Sequence, residues 1–274
     1  VLNELRDSIL QDTSTVFSSL LAEWQKLDAF RRFLFPRLCF AIKVISPGVV
    51  WCRKLDTSLR TIIKRGLKMP ARTCTKYIYL SQALGGMGVP SVEVESHVAR
   101  AAQAFKFVAD TRDPCIREVA LHQLSETVAK RAPSLDPSKL EDLAEFLNST
   151  AAPGEGRAGY LQSLWSAARA SLANGGATIE ITQDSAILHT QRDNKLTWLK
   201  RKLAYQELRE AFHERHLRVL KENADQGRAF DSISLHPDST FFTYTGAFLS
   251  FPQYRFIHRA RVNLLPVRTV QARC

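Results

Sequence analysis

The sequence lacks the features that mark secreted and membrane proteins. Its five cysteines are Cys39, Cys52, Cys74, Cys115 and Cys274, and they form no Cys-x-x-Cys pair. An odd, scattered set of cysteines indicates a reducing compartment rather than a disulfide framework. No apolar run reaches the roughly 18 residues that a membrane span requires, and the first residues alternate charge with Leu and Ile, unlike a signal peptide. We therefore expect an intracellular chain with no membrane partner. Because it begins with Val1 rather than Met, we also expect a piece of a longer protein.

Catalytic constellations are also absent from the sequence. Two-metal polymerase chemistry needs carboxylates placed close together on a strand or hairpin, and the chain contains neither an Asp-Asp pair nor a Gly-x-Ser-x-Gly motif. His213 and His216 lie one helical turn apart, with Glu210 and Glu214 nearby. Such a pair can chelate a metal, but without a third ligand it is more typical of surface residues. We expect no independent catalysis and no cofactor in this chain.

What the sequence does have is positive charge, concentrated at its two ends. Lys and Arg number 38 against 27 Asp and Glu, a net charge of +11. Residues 1–90 carry 14 basic against 6 acidic residues, residues 91–174 carry 9 against 11, and residues 175–274 carry 15 against 10. An excess of this size favours a polyanionic partner, and nucleic acid before an anionic membrane surface. The distribution suggests two contact zones joined by a structural spacer.

Helical periodicity dominates the apolar pattern, so the predicted fold class is mainly α. The predicted helices span 17–44, with a break near Phe35 caused by Pro36, then 50–67, 91–110, 114–131, 138–148, 157–173, 195–224 and 254–265. Alternating residues at 177–188 predict a small β-hairpin.

The first two of these helices carry cations almost without acids. Between residues 20 and 70 the only acids are Glu23, Asp28 and Asp56. A solvated helix face normally mixes both signs, whereas charge of one sign backed by an apolar stripe suits the phosphate backbone. The candidate nucleic-acid-binding residues are Lys26, Arg31, Arg32, Arg37, Lys54, Arg60, Lys64, Arg65 and Lys68, and at the basic C-terminal end Arg255, Arg259, Arg261 and Arg268. Trp24 and Trp51 are expected to anchor the core rather than to stack on bases.

A glycine cluster follows these helices. Gly85, Gly86 and Gly88 lack the spacing of a dinucleotide-binding or P-loop motif. They predict instead a tight turn in which the backbone closely approaches another group.

Several motifs occur together in a specific order. They are Trp-Gln-Lys-Leu-Asp-Ala-Phe at 24–30, Phe-Leu-Phe-Pro-Arg-Leu at 33–38, the stretch 55–64, Tyr-Leu at 79–80, Gly-Gly-Met-Gly-Val-Pro at 85–90, Gln-Gly-Arg at 226–228 and Arg-Phe-Ile-His-Arg-Ala-Arg-Val-Asn-Leu-Leu-Pro at 255–266. They resemble the thumb of non-LTR (LINE) retrotransposon reverse transcriptases, and the segment before their zinc knuckle. The resemblance is best to the site-specific class with a restriction-enzyme-like endonuclease, and it is vague between about 110 and 190.

The resemblance implies a helical thumb bundle at 1–90, a helical linker with the hairpin at 91–192, and a long helix and basic segment at 193–274. The palm, with its Tyr-x-Asp-Asp carboxylates and Mg²⁺, would precede this region, and the zinc knuckle and endonuclease would follow it. Cys274 would then be the first Zn²⁺ ligand of the knuckle. The implied partners are an RNA–DNA hybrid, target DNA, element RNA and the palm domain, and the implied location is the nucleus.

Two other functions stay open. A helical scaffold would use the neutral block at 91–174 to bind protein, with its charge serving solubility. A small enzyme would need a catalytic constellation, and none stands out in the sequence.

Overall fold

A computed structural model describes residues 2–149, 163–190, 194–246 and 249–265. The helices are α1 (Leu2–Ser18), α2 (Glu23–Ala29), α3 (Phe35–Ile45), α4 (Val49–Gly66), α5 (Thr75–Tyr79), α6 (Val92–Val108), α7 (Pro114–Arg131), α8 (Leu140–Asn148), α9 (Leu164–Gly175), α10 (Ala204–Lys221), α11 (Ala229–Leu235), α12 (Phe242–Thr245) and α13 (Phe251–Arg261). The strands are β1 (Thr178–Ile181), β2 (Ala186–His189) and β3 (Lys195–Leu196). The predicted mainly α fold class is confirmed.

The described residues group into two compact units. One comprises the described parts of Val1–Glu93 and His213–Cys274, and the other comprises those of Val94–Phe212. The division into thumb, linker and basic C-terminal segment that we expected from the sequence stays a prediction. Within the first unit the C-terminal helices pack against the N-terminal part of the chain. The ring of Tyr77, for example, contacts the rings of Phe230 and His258.

The first unit opens with a helix that the sequence pattern did not predict. Helix α1 buries only Ile9, Thr13 and Phe17, one residue per turn and one of them polar. Such a stripe is too narrow and too polar to stand out from the apolar pattern. The predicted start at 17 is wrong: α1 ends at Ser18, the chain turns, and the predicted span 17–44 is formed by α2 and α3.

The break predicted near Phe35 is a π-helical turn, Phe30–Leu34. Pro36 has no N–H, so it removes one hydrogen bond of a regular helix and clashes with the preceding turn. The chain accommodates this with a wider turn in which the Phe35 N–H bonds the Phe30 carbonyl, and α3 starts anew with the proline in its first turn.

Helix α4 packs against α1 with a regular apolar stripe. Leu55, Leu59 and Ile63 are almost completely buried, and each contributes about 1.5–3 kcal/mol through removal of its side chain from water. Cys52 and Asp56 are buried on the same side, and the exposed positions of α4 are mostly polar, so the helix has one buried face and one solvent face.

The second unit surrounds an apolar core that helices and sheet share. Phe105, Leu124, Phe146 and Trp165 belong to this core together with Leu188 of the sheet. The predicted helices at 91–110, 114–131 and 138–148 correspond to α6, α7 and α8. Helix α9 begins at Leu164, and the earlier part of the predicted 157–173 helix falls outside the described residues.

The small sheet is antiparallel with strand order β1-β2-β3. The predicted hairpin is present, with Ile179 opposite Leu188. The third strand was not predicted: Leu196 pairs with Leu188, and the chain then makes a 3-10 turn, Trp198–Leu203, before α10. The long helix predicted from 195 consequently starts only at Ala204, because burial of Leu196 on the sheet overrides its helix propensity.

Within the described ranges, no helix has both the length and the apolar character needed to cross a lipid bilayer.

Candidate nucleic-acid interface

The solvent face of α4 and of the residues that follow it is cationic. Lys54, Arg65 and Lys68 are exposed, and within the described part of the chain their charged groups have no partner. Lys54 and Arg65 are eleven residues apart in sequence, which is about 16 Å along a helix, and their spacing places them on the same face. That length is roughly half of a duplex turn. Helix α4 therefore presents a row of available cations over several phosphates.

The single acid of α4 does not weaken this face, because it is turned inward. Asp56 is only 4% exposed. Its carboxylate accepts hydrogen bonds from the Ser91 hydroxyl at 2.7 Å and from the Val92 and Glu93 N–H groups at 2.8 and 2.9 Å. Val92 and Glu93 open α6 and lie in the same unit as Asp56. The carboxylate thus caps a helix start that would otherwise leave its N–H groups without partners.

Burial also changes the acidity of this carboxyl group. Removal from water raises the pKa of Asp56 to about 6, although the bonds from Glu93, Ser91 and Val92 act in the opposite direction. The one acidic group of α4 is therefore a structural cap and does not neutralise the cationic face. The carboxylate that reaches this helix is that of Glu93, which pairs with Arg53 at 2.7 Å.

Arg60 lies at the edge of the same face and is half-buried. Its guanidinium contacts are long, 3.5 Å to the Tyr79 hydroxyl and 3.4 Å to the Thr57 hydroxyl. Contacts of this length are weak, so Arg60 is held loosely enough to turn toward an external phosphate.

Five other candidate cations donate to backbone carbonyls of their own chain. Lys26 bonds the Phe17 carbonyl, Arg31 the Met87 and Gly88 carbonyls, Lys64 the Ala71 and Thr73 carbonyls, Arg259 the Lys68 carbonyl, and Arg261 the Gly85 and Ser239 carbonyls. Burial lowers the pKa of Arg31, Lys64 and Arg261. These side chains hold distant segments together, which leaves them less available to a ligand.

Three more candidate cations pair with acids. Arg32 bonds Asp28 at 2.9 Å, and Arg37 bonds Asp12 at 2.5 Å; both of these pairs are exposed. Exposed pairs contribute about 0–1 kcal/mol and yield readily to a competing anion. Arg255 differs, because its partner Glu23 is only 2% exposed. Its positive charge compensates a buried carboxylate, so it is committed to the fold.

The glycine cluster forms a turn that the chain's own atoms fill. Gly85 and Gly88 have φ values of +88° and +65°, a region that favours glycine. At Gly86 a Cβ atom would lie 2.3 Å from the Leu80 carbonyl oxygen. The close backbone approach is therefore internal, with Arg31 and Arg261 bonding carbonyls of the turn.

The histidine pair of α10 does not form a metal site with its surroundings. Burial, with Lys76 nearby, lowers the pKa of His216 to about 3, so its ring is neutral at pH 7. Its ring centroid is 6.5 Å from that of His213. Among the described residues no group of three His, Cys, Asp or Glu side chains is arranged to hold a metal ion. Arg268 and Cys274 lie outside the described residues.

One surface feature was missed from the sequence. Phe33, Phe40 and Val44 are between 67% and 72% exposed. They recur at intervals of seven and four residues, the spacing of a single helix face. The sequence did contain a signal for this surface. Phe35, Leu38, Ala41 and Ile42 fill the buried face of α3, so the additional apolar residues of this segment had to lie on its solvent face. An exposed apolar row of this kind marks a surface for contact with protein.

No protein-family model matches the chain. It is similar to an uncharacterized protein of Caenorhabditis elegans, T26G10.4, with 26% identity over 276 residues. The match covers 95% of this chain and 79% of that protein. The similarity therefore includes residues of both units, and the relative's name states no activity.

Proposed function

We propose that this chain is the thumb and following linker of a LINE-type reverse transcriptase, and that it grips a template–primer duplex by its phosphates. In this proposal α4 lies along one strand of an RNA–DNA hybrid, with Lys54, Arg65 and Lys68 on phosphates of that strand and Arg60 turning toward them. The chemistry of copying would belong to the palm, and this chain would contribute affinity and position.

The observation that carries the proposal is the solvent face of α4, where Arg53 pairs with Glu93 and the other exposed cations stay without a partner among the described residues. Cations that already have partners lose part of any new interaction, whereas Lys54, Arg65 and Lys68 have none among the described residues. Contacts to phosphate fix position without reading sequence. A thumb of this kind would hold any hybrid and move along it, which suits continuous copying from a nicked target.

The rest of the implied assembly follows from the same proposal. The apolar row of Phe33, Phe40 and Val44 would dock on the palm domain of the parent protein. Arg268, and exposed basic residues near the C-terminal end, would meet target DNA or element RNA in the nucleus. The arginines of α13 would support this surface by holding the fold rather than by touching nucleic acid.

A salt titration with a charge-matched control tests the duplex-gripping role. Fluorescence anisotropy would give the dissociation constant of a labelled RNA–DNA hybrid between 50 and 200 mM salt. Three phosphate contacts predict a log–log slope of about −3, at roughly −0.9 per contact. The triple variant Lys54→Gln, Arg65→Gln, Lys68→Gln is expected to bind at least about tenfold more weakly, with a slope no steeper than about −1, the share of Arg60.

The matched control removes the same charge from the second unit. Lys130, Lys139 and Lys195 are exposed, and their triple glutamine variant is expected to keep most of the affinity and the slope. Equal losses in the two variants would mean that net charge alone attracts the hybrid, and would reject the assignment of α4. A slope near zero in the unchanged protein would reject phosphate binding altogether.

A protein-interaction scaffold is the second candidate, and the exposed row of Phe33, Phe40 and Val44 favours it. In that case the chain would bind a protein partner in a complex that survives high salt, and it would not bind a hybrid. Phe40→Asp would abolish such a complex, because it places a charge in the middle of the apolar contact.

A further inference from the structure

A cavity of about 460 Å³ lies in the first unit beside the cationic end of α4. Its walls combine three kinds of group. Phe17, Ile62 and Phe251 supply apolar surface, Glu23 supplies a carboxylate, and positive charge comes from Lys26, Arg65, Lys68 and Arg255. The volume falls in the range of small-molecule sites, which are mostly apolar with a few polar groups that fix orientation.

The carboxylate of Glu23 has an unused oxygen. Glu23 is 2% exposed, and its Oε1 accepts from Arg255. Its Oε2 is buried and has no hydrogen-bond partner within the described ranges of the chain. A buried carboxylate oxygen without a donor is costly, on the order of 1–3 kcal/mol. The cavity therefore favours an occupant that brings an N–H or O–H group to this oxygen.

The cations restrict the occupant further. The cavity is lined by four basic side chains, Lys26, Arg65, Lys68 and Arg255, against the one carboxylate of Glu23, which is paired with Arg255. A purely cationic ligand would therefore be repelled. The groups suit a ligand with a donor at one end, a flat apolar body and a negative charge at the other end. A nucleotide has this order of groups, because its base carries N–H donors and its phosphate is anionic.

We propose that this cavity receives one unpaired nucleotide of the strand that α4 holds, with its base edge on Glu23 and its phosphate beside Arg65 and Lys68. This inference rests on the proposed duplex-gripping function and adds base selectivity to it. Guanine is the expected preference, since its adjacent N1–H and N2 amino group can both donate to Oε2, the oxygen that Arg255 leaves unused. Uracil is the expected worst base, because its single N3–H lies between two carbonyl oxygens that would face the carboxylate.

Binding of three hybrids tests the inference. One is a fully paired RNA–DNA hybrid, and the other two carry a single bulged guanine or a single bulged uracil at the same position. The guanine bulge is expected to bind about tenfold more tightly than the uracil bulge, the discrimination of one good pair of hydrogen bonds. A bulged inosine, which lacks the N2 amino group, is expected to lose most of this advantage in the unchanged protein.

Two variants locate the effect. Glu23→Gln is expected to remove the preference for guanine, since a carboxamide presents a donor as well as an acceptor. Lys54→Ala lies outside the cavity lining and is expected to weaken all hybrids equally, leaving the ratio of guanine to uracil unchanged. The inosine comparison uses the unchanged protein. It therefore tests base selectivity even if Glu23→Gln impairs folding through the loss of the Arg255 pair.

The outcomes separate the two proposals. Equal affinities for guanine, inosine and uracil bulges, with the paired hybrid still bound, would overturn the base cavity and leave the duplex-gripping role intact. A preference for guanine that persists in a folded Glu23→Gln protein would also overturn it. Failure to bind any of the hybrids would reject both proposals together.

Discussion

Helices α4 and α13 are both basic, yet they use their charge in opposite ways. On α4 the cations Lys54 and Arg65 are exposed, and the one acid is buried. On α13 the three arginines Arg255, Arg259 and Arg261 each donate to a group of the same chain. A basic run in a sequence therefore does not by itself identify a binding surface. What decides is whether the fold supplies an internal partner for each cation.

This difference gives the two helices opposite expected phenotypes. Removal of Lys54 or Arg65, the cations of α4 without a partner among the described residues, weakens the grip on nucleic acid and leaves stability nearly unchanged. Removal of an arginine from α13 leaves carbonyls or a carboxylate without a donor and lowers stability first. The tests below measure the free energy of unfolding, the affinity for a hybrid, or both, and either quantity can contradict the distinction between the two helices.

The largest expected effect is that of Arg261→Ala. Arg261 is 8% exposed, bonds the Gly85 carbonyl at 2.8 Å and the Ser239 carbonyl at 2.6 Å, and lies over the Phe242 ring. Loss of these contacts leaves two carbonyls without their donor, and the free energy of unfolding is expected to fall by about 3–5 kcal/mol. Urea denaturation followed by circular dichroism measures this change.

The matched variant on α4 is Arg65→Ala. Arg65 has no internal partner among the described residues, so its removal is expected to change the free energy of unfolding by no more than about 0.5 kcal/mol. Comparable destabilisation by the two variants would contradict the distinction between the helices.

Much of the fold could be predicted from the sequence, and the reason is local. Helix α7 begins at Pro114 after the capping residue Asp113, and proline and glycine bound α4 in the same way. The signals for these ends lie within a few residues of the ends themselves. Helix α1 and strand β3 lack such signals, because each depends on burying a few side chains against another element, α4 for α1 and β2 for β3.

The availability of the cations could not be predicted for the same physical reason. The partner of Arg31 is 57 residues away in sequence, and the carbonyl that Arg261 bonds is 176 residues away. Only the folded chain brings these groups together. The acid-poor composition of α4 was visible in the sequence, but the inward orientation of Asp56 was not, since its donors follow 35 residues later.

The second effect in size is a loss of stability in acid, to which the two helices contribute with opposite signs. Burial, with Arg261 nearby, lowers the pKa of His258 on α13 to about 3, and that of His216 is lowered to about 3 as well. The unfolded chain binds a proton at each histidine near pH 6.5 and the folded chain does not. Stability is therefore complete above about pH 6.5 and falls as the pH decreases, by about 1.4 kcal/mol per pH unit for each histidine.

Asp56 on α4 acts against this loss. Its pKa of about 6 in the folded chain lies above the ordinary value of 3.8, so between these values the folded state binds the extra proton and gains stability as the pH falls. The net loss from pH 6.5 to pH 4.5 is expected to be about 3 kcal/mol, measured by urea denaturation across that range. His258→Gln is expected to make the decline shallower, and a stability that does not change with pH would contradict the burial of both histidines as neutral rings.

The third effect is that of Asp56→Ala, which separates the cap from the charge. The variant leaves the Ser91 hydroxyl and the Val92 and Glu93 N–H groups without their acceptor, and it is expected to cost about 2 kcal/mol of stability. The affinity for a hybrid is expected to change little, because the carboxylate lies behind the cationic face. A clear gain in affinity would show instead that Asp56 weakens that face, and Asp56→Asn, which keeps an acceptor, is the control for the cap.

The smallest expected effects come from the exposed pair of Arg32 and Asp28, which shares one property with each of the two helices. Arg32 has an internal partner like the arginines of α13, yet its side chain is 71% exposed like the cations of α4. Arg32→Gln and Asp28→Asn are each expected to change stability by less than about 0.5 kcal/mol. If the hybrid extends from α4 to this pair, Arg32→Gln weakens binding about twofold at 50 mM salt, and Asp28→Asn strengthens it by a similar factor. Both effects should vanish at 200 mM salt, and unchanged affinity in both variants would confine the phosphate contacts to α4.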